Sequence, residues 1–211
     1  MKKRLPDILC KITGAILHPL LMPTYGILLF CAVLGQAMPL PTAYWLIAVL
    51  GTFTLTAVIP MSLIIIRLFA GTISDIEIRN ASERTPIYIY SIICYIFWGY
   101  FLLKVLHAPI VLFLIATGAT MSLIGVTVIN RRWKISAHLT GIGGLIGGIC
   151  AYCLNQNLAL PLGLIAVLLC LALILMYSRI YMKAHTPHQV VAGLLWGLTM
   201  TSLPTLIYNL I

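Results

Sequence analysis

Seven apolar stretches, each about 20 residues long, constrain the fold of this chain more than any other feature. A helix needs about 20 residues to cross the hydrocarbon core of a membrane, and stretches of this length are too long for strands. An open sheet exposed to lipid is also excluded, because its edge would leave backbone groups unpaired. The predicted spans are residues 13–36, 44–68, 86–106, 109–130, 138–156, 158–177 and 187–209. The sequence therefore predicts an all-α, polytopic transmembrane bundle.

We expect six to seven spanning helices, because the two prolines in the first span leave open whether it crosses the membrane fully. Pro19 and Pro23 could split it into an interfacial piece and a short insertion. Only 8% of the residues are charged and 62% are hydrophobic, whereas soluble domains carry about 25% charged residues. We therefore expect residues 1–211 to form a single integral membrane domain. Met1–Arg4 is basic, but no clear small-residue cleavage site follows, so we expect no signal-peptide cleavage.

Three polar loops interrupt the apolar chain, at Asp75–Pro86, Arg131–His138 and Ser178–Gln189. They follow spans two, four and six, so they share one side of the membrane if all seven spans cross. Every Lys and Arg except Lys104 then falls on that side, which the positive-inside rule predicts to be cytoplasmic. The net charge of +9 does not indicate nucleic acid, because the basic residues lie in short loops that meet lipid headgroups or an anionic ligand.

Each polar loop also ends where a helix is predicted to begin. Thr85 and Pro86 have the residue types of an N-cap and a first helical position, and Ser136 can cap the fifth span. Thr186 and Gln189 have the spacing of a capping box. Three helix N-termini on one face present free N–H groups and positive dipole ends, which favour an anion.

Arginine and histidine side chains surround these predicted helix starts. The guanidinium groups of Arg79, Arg84 and Arg179 fit phosphate oxygens, although juxtamembrane cations can also be simple headgroup anchors. Of His138 and His185, one could attack phosphorus while the other protonates the leaving oxygen. The sequence offers no acidic cluster or HxxxH pair for a metal. We therefore predict a phosphate-handling site that uses no metal and no cofactor.

Two further patterns concern packing. Glycines at Gly141–Gly148 have overlapping GxxxG spacings, which predict close contact between helices, more in keeping with packing inside the chain than with a dimer. Cys150 and Cys153 have CxxC spacing, for which metal or redox chemistry is an alternative. Without a second pair or a nearby histidine, we favour packing for these cysteines.

The third polar loop resembles a signature of the type 2 phosphatidic acid phosphatase superfamily. That signature is Ser-Arg, five residues, His, three residues, Asp, and Ser178-Arg179, His185 and Gln189 match it except at the last position. Ile135–His138 is similar to the second signature, Pro-Ser-Gly-His, with Ser and His kept.

The first signature, Lys, six residues, Arg-Pro, is matched poorly. Arg84-Thr85-Pro86 carries an extra residue, and Glu77 stands at the Lys position with Arg79 as the nearest cation. The motif-bearing core covers roughly residues 75–195, in the family's order.

The resemblance implies a membrane phosphatase that needs no metal and acts on a lipid phosphate or a prenyl diphosphate. It implies that His185 is the nucleophile that forms a phosphohistidine and that His138 is the general acid. The phosphate-binding residues it implies are Arg179, Arg84, Arg79, Ser136 and Ser178. The chain resembles a divergent bacterial member of this superfamily, for which we expect a location in the bacterial inner membrane. Many such relatives have an exterior-facing site, whereas the charges here predict a cytoplasmic one.

Gln189 is the departure that matters most, because the family's Asp orients and polarises the nucleophilic histidine. Gln can hold the ring by a hydrogen bond, but it supplies no charge. The chain could therefore be a slow enzyme, an enzyme with another helper such as His188, or a non-catalytic lipid-phosphate binder or transporter. A different interpretation is an unrelated small helical transporter whose loops are only topological anchors. The expected partners are the lipid phosphate and membrane lipids, with no nucleic acid.

Overall fold

The fold consists of helices throughout the residues that the computed structural model describes, which are 5–34, 40–73, 81–208 and 210. The α-helices are α1 (Leu5–Ile16), α2 (Met22–Leu29), α3 (Thr42–Phe53), α4 (Ile59–Phe69), α5 (Ala81–Tyr100), α6 (Ile110–Ile129), α7 (Ala137–Asn155), α8 (Leu162–Tyr181) and α9 (Pro187–Tyr208). π-helical turns extend α2 and α5 at Phe30–Leu34 and Phe101–Val105 and join α3 to α4 at Thr54–Val58. Within the described residues, seven helical stretches are long and apolar enough to cross a membrane, so the predicted all-α polytopic bundle is confirmed.

The spanning stretches agree with the predicted spans, with larger shifts at two places. The first stretch begins at Leu5 rather than at residue 13, and the sixth is Leu162–Tyr181 rather than 158–177. Pro161 precedes α8 and delays its start, because a helix interior does not tolerate proline. Ser178 and Arg179 therefore lie in the last turns of α8 and not in the loop, which corrects the predicted boundary. A basic residue suits this position because the helix dipole is negative there.

The first span is interrupted at its prolines. Leu17 and His18 follow α1, and a single 3-10 turn, Pro19–Leu21, leads into α2. His18 caps this turn, because its Nδ1 accepts a hydrogen bond from the Leu20 N–H at 3.3 Å. The interruption thus leaves an ionisable ring within an otherwise apolar stretch.

The prediction that Thr85 and Pro86 form the start of the third span is wrong. The helix α5 begins at Ala81, so Pro86 lies inside it. Ala, Glu and Arg are good helix formers, and Glu83 in the first turn is favourable with the helix dipole. A proline this near the N-terminus removes few helical hydrogen bonds. As a result, Arg84 lies on α5 itself and is only 7% exposed.

Helices α7 and α9 pack along a glycine seam formed by Gly143 and Gly147 of α7 and Gly193 and Gly197 of α9. A Cβ at any of these positions would overlap a backbone carbonyl of the opposite segment, such as that of Thr140 at Gly197. Only glycine allows such close contact between backbones. The predicted role of the glycines in packing within the chain is confirmed.

The cysteines and the outer surface fit a membrane-embedded bundle. All six cysteines are free, and Cys153 is fully buried in the largest hydrophobic cluster, as expected for a packing residue. Large apolar side chains such as Ile66, Phe97 and Leu173 are exposed. Exposed apolar area on this scale is stable in lipid and not in water.

Candidate active site

A cavity of about 1110 Å³ lies within the helix bundle and collects basic side chains from separate chain segments. Four of the predicted site residues line it, namely Arg84, His138, Arg179 and His185. Most other lining side chains are apolar, so the cavity combines a basic region with hydrophobic walls. Arg79 lies outside the described residues.

His185 lies in the turn between α8 and α9, two residues before α9 begins. Its Nδ1 is 3.3 Å from the carbonyl oxygen of Lys134. A carbonyl can only accept, so this hydrogen bond places the proton on Nδ1 and leaves a lone pair on Nε2.

The electrostatic surroundings keep His185 neutral. Burial, followed by the positive charges of Lys134 and Arg84, lowers the pKa of His185 to about 4. Hydrogen bonds to the Lys134 carbonyl and to Gln189 raise this pKa, but they do not outweigh the other effects. At pH 7 the imidazole is therefore neutral, which is the form that can act as a nucleophile.

His138 is the second residue of α7 and lies against the N-terminal helix. Its Nε2 is 3.2 Å from the carbonyl oxygen of Gly14 in α1. By the same reasoning Nε2 carries the proton, and Nδ1 keeps a lone pair in the neutral ring. Each of the two predicted catalytic histidines is thus held in one tautomer by a backbone carbonyl.

Arg179 and Ser178 lie side by side against α1. Arg179 Nη2 donates to the Cys10 carbonyl and to Ser178 Oγ, each at 3.2 Å, and Ser178 Oγ donates to the same carbonyl at 2.9 Å. Gly14 lets the guanidinium approach, since a Cβ there would overlap it. Ser178 therefore holds the Arg179 guanidinium by a hydrogen bond, and Arg179 lines the cavity.

Ser136 and Gln189 stabilise the two helix starts that carry the histidines. Ser136 is fully buried and caps α7, with its Oγ accepting from the Leu139 N–H at 3.5 Å, as predicted. Gln189 Oε1 accepts from the Thr186 N–H at 3.0 Å, which is one half of the predicted capping box. The Ser136 N–H also donates to the Gln189 carbonyl at 3.3 Å, which ties the two helix starts together.

The charge of the cavity favours an anion. Lys11, Arg84, Lys134 and Arg179 line it, and no acidic residue of the described chain does. Within the same residues, no group of three His, Cys, Asp or Glu side chains could hold a metal ion. Phosphate is an anion that such guanidinium groups bind well.

Sequence reasoning missed the contribution of the N-terminal segment. His18 lines the cavity, and its ring centroid is 5.4 Å from that of His138 at an interplanar angle of 80°. The carbonyls of Cys10 and Gly14 hold Arg179 and His138. A usable signal was present, because an ionisable residue within a membrane span is a functional candidate.

Comparison with known proteins bears on the second half of the chain. Residues 115–210 match the model of the PAP2 superfamily, a segment that includes α7, α9 and both predicted catalytic histidines. Searches of curated proteins and of solved structures found no match to the chain. Members of the superfamily are phosphatases that act on phosphate esters, often those of lipids. Residues 115–210, a little under half of the chain, are therefore similar to the PAP2 superfamily.

Proposed function

We propose that this protein is a metal-independent membrane phosphatase that hydrolyses a lipid phosphate or a prenyl diphosphate through a phosphohistidine on His185. One observation carries the proposal: His185 is held neutral, with its lone pair on Nε2, in a cavity that it shares with His138, Arg84 and Arg179. A nucleophile, a second histidine and two guanidinium groups can together serve phosphoryl transfer without a metal.

In the first chemical step, Nε2 of His185 attacks phosphorus, and the bond from phosphorus to the leaving oxygen breaks. His138 takes up a proton at Nδ1 when the anionic ligand enters the cavity, because the negative charge favours the imidazolium. It gives this proton to the leaving oxygen, so the product leaves as an alcohol or as the shorter phosphate. Water then attacks phosphorus, the phosphorus–nitrogen bond breaks, and His138 accepts the proton of the water. Inorganic phosphate leaves, and His185 returns to its neutral form.

The arginines take the place of a metal in this proposal. Arg84 and Arg179 are 7% and 4% exposed, so their charges are weakly screened and act strongly on an anion in the cavity. Ser136, Ser178 and Arg79 remain predicted phosphate ligands, although neither serine lines the cavity. The apolar walls supply a region for the lipid tail among the helices.

A non-catalytic binder or transporter of a lipid phosphate is the second candidate. The observation that favours it concerns Gln189, whose Oε1 accepts the Thr186 N–H at the start of α9. This side chain supplies no negative charge to His185. Such a protein would bind the same ligands without releasing phosphate.

A phosphate-release assay separates the two candidates. Purified protein in detergent is incubated with a panel of lipid phosphates and prenyl diphosphates, with and without EDTA. We expect release of inorganic phosphate from at least one substrate, unchanged by EDTA. Binding without release would support the second candidate, and a strict requirement for Mg²⁺ or Zn²⁺ would contradict the proposed mechanism.

Replacing Gln189 by Asp tests the departure from the family pattern. A carboxylate next to His185 stabilises the imidazolium and the required tautomer, so we expect a modest rise in turnover. The acidic limb of the kcat/KM profile, corrected for ionisation of the substrate, should lie near pH 4 in the wild type and at higher pH in the variant, because the new charge raises the pKa of His185. Little change in stability is expected, since a negative charge suits the first turn of α9. Lower turnover in a folded variant would show that the site depends on Gln189 itself.

A further inference from the structure

His18 lies in the cavity with the two motif histidines although it belongs to a distant part of the chain. It lies outside residues 115–210 and outside the three motif segments. Its ring packs edge-on against that of His138, with 5.4 Å between centroids, and it lines the same cavity. The break between α1 and α2 is what brings this ring into the site.

The hydrogen bond that His18 makes fixes which of its nitrogens can bind a ligand. Nδ1 accepts from the Leu20 N–H at 3.3 Å, so in the neutral ring the proton is on Nε2. Nε2 lies on the opposite side of the ring and has no acceptor among the described residues. Because His18 lines the cavity, an anion bound there can supply the acceptor that Nε2 lacks.

The neighbouring residues show that α1 contributes a continuous wall. Lys11, Gly14 and Ala15 line the cavity, and their spacing places them on one face of α1. His18 follows this helix and lines the same cavity. The carbonyls of the same segment hold Arg179 and His138. His18 therefore stands next to both the guanidinium and the predicted general acid.

We propose that His18 binds the phosphoryl group of the ligand by donating a hydrogen bond from Nε2 to an oxygen on the side of His138. This inference rests on the proposed function, because it adds a ligand-binding residue to the same site. The donor is neutral, so it orients the phosphoryl group without adding to the charge that the arginines supply. Its contact with His138 places the bound oxygen close to the leaving group.

Two substitutions separate ligand binding from the capping role of His18. In His18→Asn, the side-chain oxygen can replace Nδ1 as the cap of the Pro19–Leu21 turn, but the side chain is too short to replace Nε2. In His18→Gln, the amide nitrogen reaches the position of Nε2, and the cap is lost. His18→Asn thus keeps the cap and loses the donor at Nε2, whereas His18→Gln keeps the donor and loses the cap.

The probe is orthovanadate, a phosphate analogue, with binding measured by calorimetry on the full-length protein in detergent. We expect His18→Asn to weaken binding about 10- to 100-fold, as for loss of a hydrogen bond to a charged group, and His18→Gln to retain most of the affinity. Unfolding midpoints of both variants are measured alongside. The opposite ranking, equal retention, or equal loss in two folded variants would overturn the Nε2 role.

A measurement on the wild type covers the case in which His18→Asn does not fold. In ¹⁵N-histidine NMR spectra, vanadate should shift the ring signal that His18→Gln lacks and leave the exposed His107 unchanged. An unshifted His18 signal, or a wild type that does not bind vanadate, would overturn the inference. A wild type that binds vanadate but releases no phosphate would contradict the proposed function alone, and the two variants would still decide the role of His18.

Discussion

Replacing His185 by alanine is expected to abolish phosphate release, lowering turnover by about 10⁴-fold or more, as for loss of a nucleophile elsewhere. The fold should survive, because His185 lies in a turn and contributes little to the core. The matched control is His188→Ala, which removes an exposed histidine three residues away that does not line the cavity. Turnover is measured with the best substrate of the panel, and unfolding midpoints verify that the variants are folded.

The outcomes distinguish three arrangements of the site. Near-normal turnover of His185→Ala would rule out this nucleophile. A large loss in His188→Ala would identify His188 as the helper that replaces the family's Asp. His138→Ala should also slow release, but less with p-nitrophenyl phosphate, because a good leaving group needs no proton.

Among the substitutions proposed for this protein, Gly197→Ala is expected to cause the largest loss of stability. The added Cβ would overlap the Thr140 carbonyl of α7, and backbone cannot move aside as a side-chain tip can. Overpacking of this kind costs about 3 kcal/mol, which corresponds to an unfolding midpoint about 10 °C lower. Activity should fall as well, because α7 carries His138 and α9 begins two residues after His185. A shift between these helices would move the two histidines relative to each other.

The matched control is Gly163→Ala near the start of α8. A Cβ there would meet nothing within 4 Å, so the substitution should leave the midpoint unchanged or raise it slightly. Thermal unfolding of the three proteins in one detergent makes the comparison. Equal midpoints for Gly197→Ala and Gly163→Ala would show that the seam is not a tight contact.

The spans could be predicted from sequence because a membrane sets their length, and 20 apolar residues in a row have few other solutions. Helix ends were harder. Polar residues at Ser178–Arg179 and Ser82–Thr85 indicated loops, yet both segments are helical. Polarity alone does not end a helix when the residues are good helix formers and their charge suits the dipole.

Part of the candidate site could also be predicted from local sequence, whereas another part depends on tertiary contacts. Ser136 and Gln189 lie at the starts of α7 and α9, so local rules predicted the first as a cap and the second in a capping box. The contacts of α1 could not be predicted, because Cys10 and Arg179 are 169 residues apart and neither carries a local signal for the other. The burial of Arg84 likewise depends on tertiary packing and not on its own neighbours.

The glycine seam separates the chemistry of the site from the shape of its cavity. At the four glycines, α7 and α9 meet through backbone atoms, so the distance between the two helices there is set by backbone contact. Much of the hydrophobic wall comes from α2 to α6, where substitutions can reshape the cavity without moving the starts of those two helices. Under the proposed function, substitutions in the wall would therefore change which lipid tail fits, while the seam keeps the two helix starts at a fixed distance.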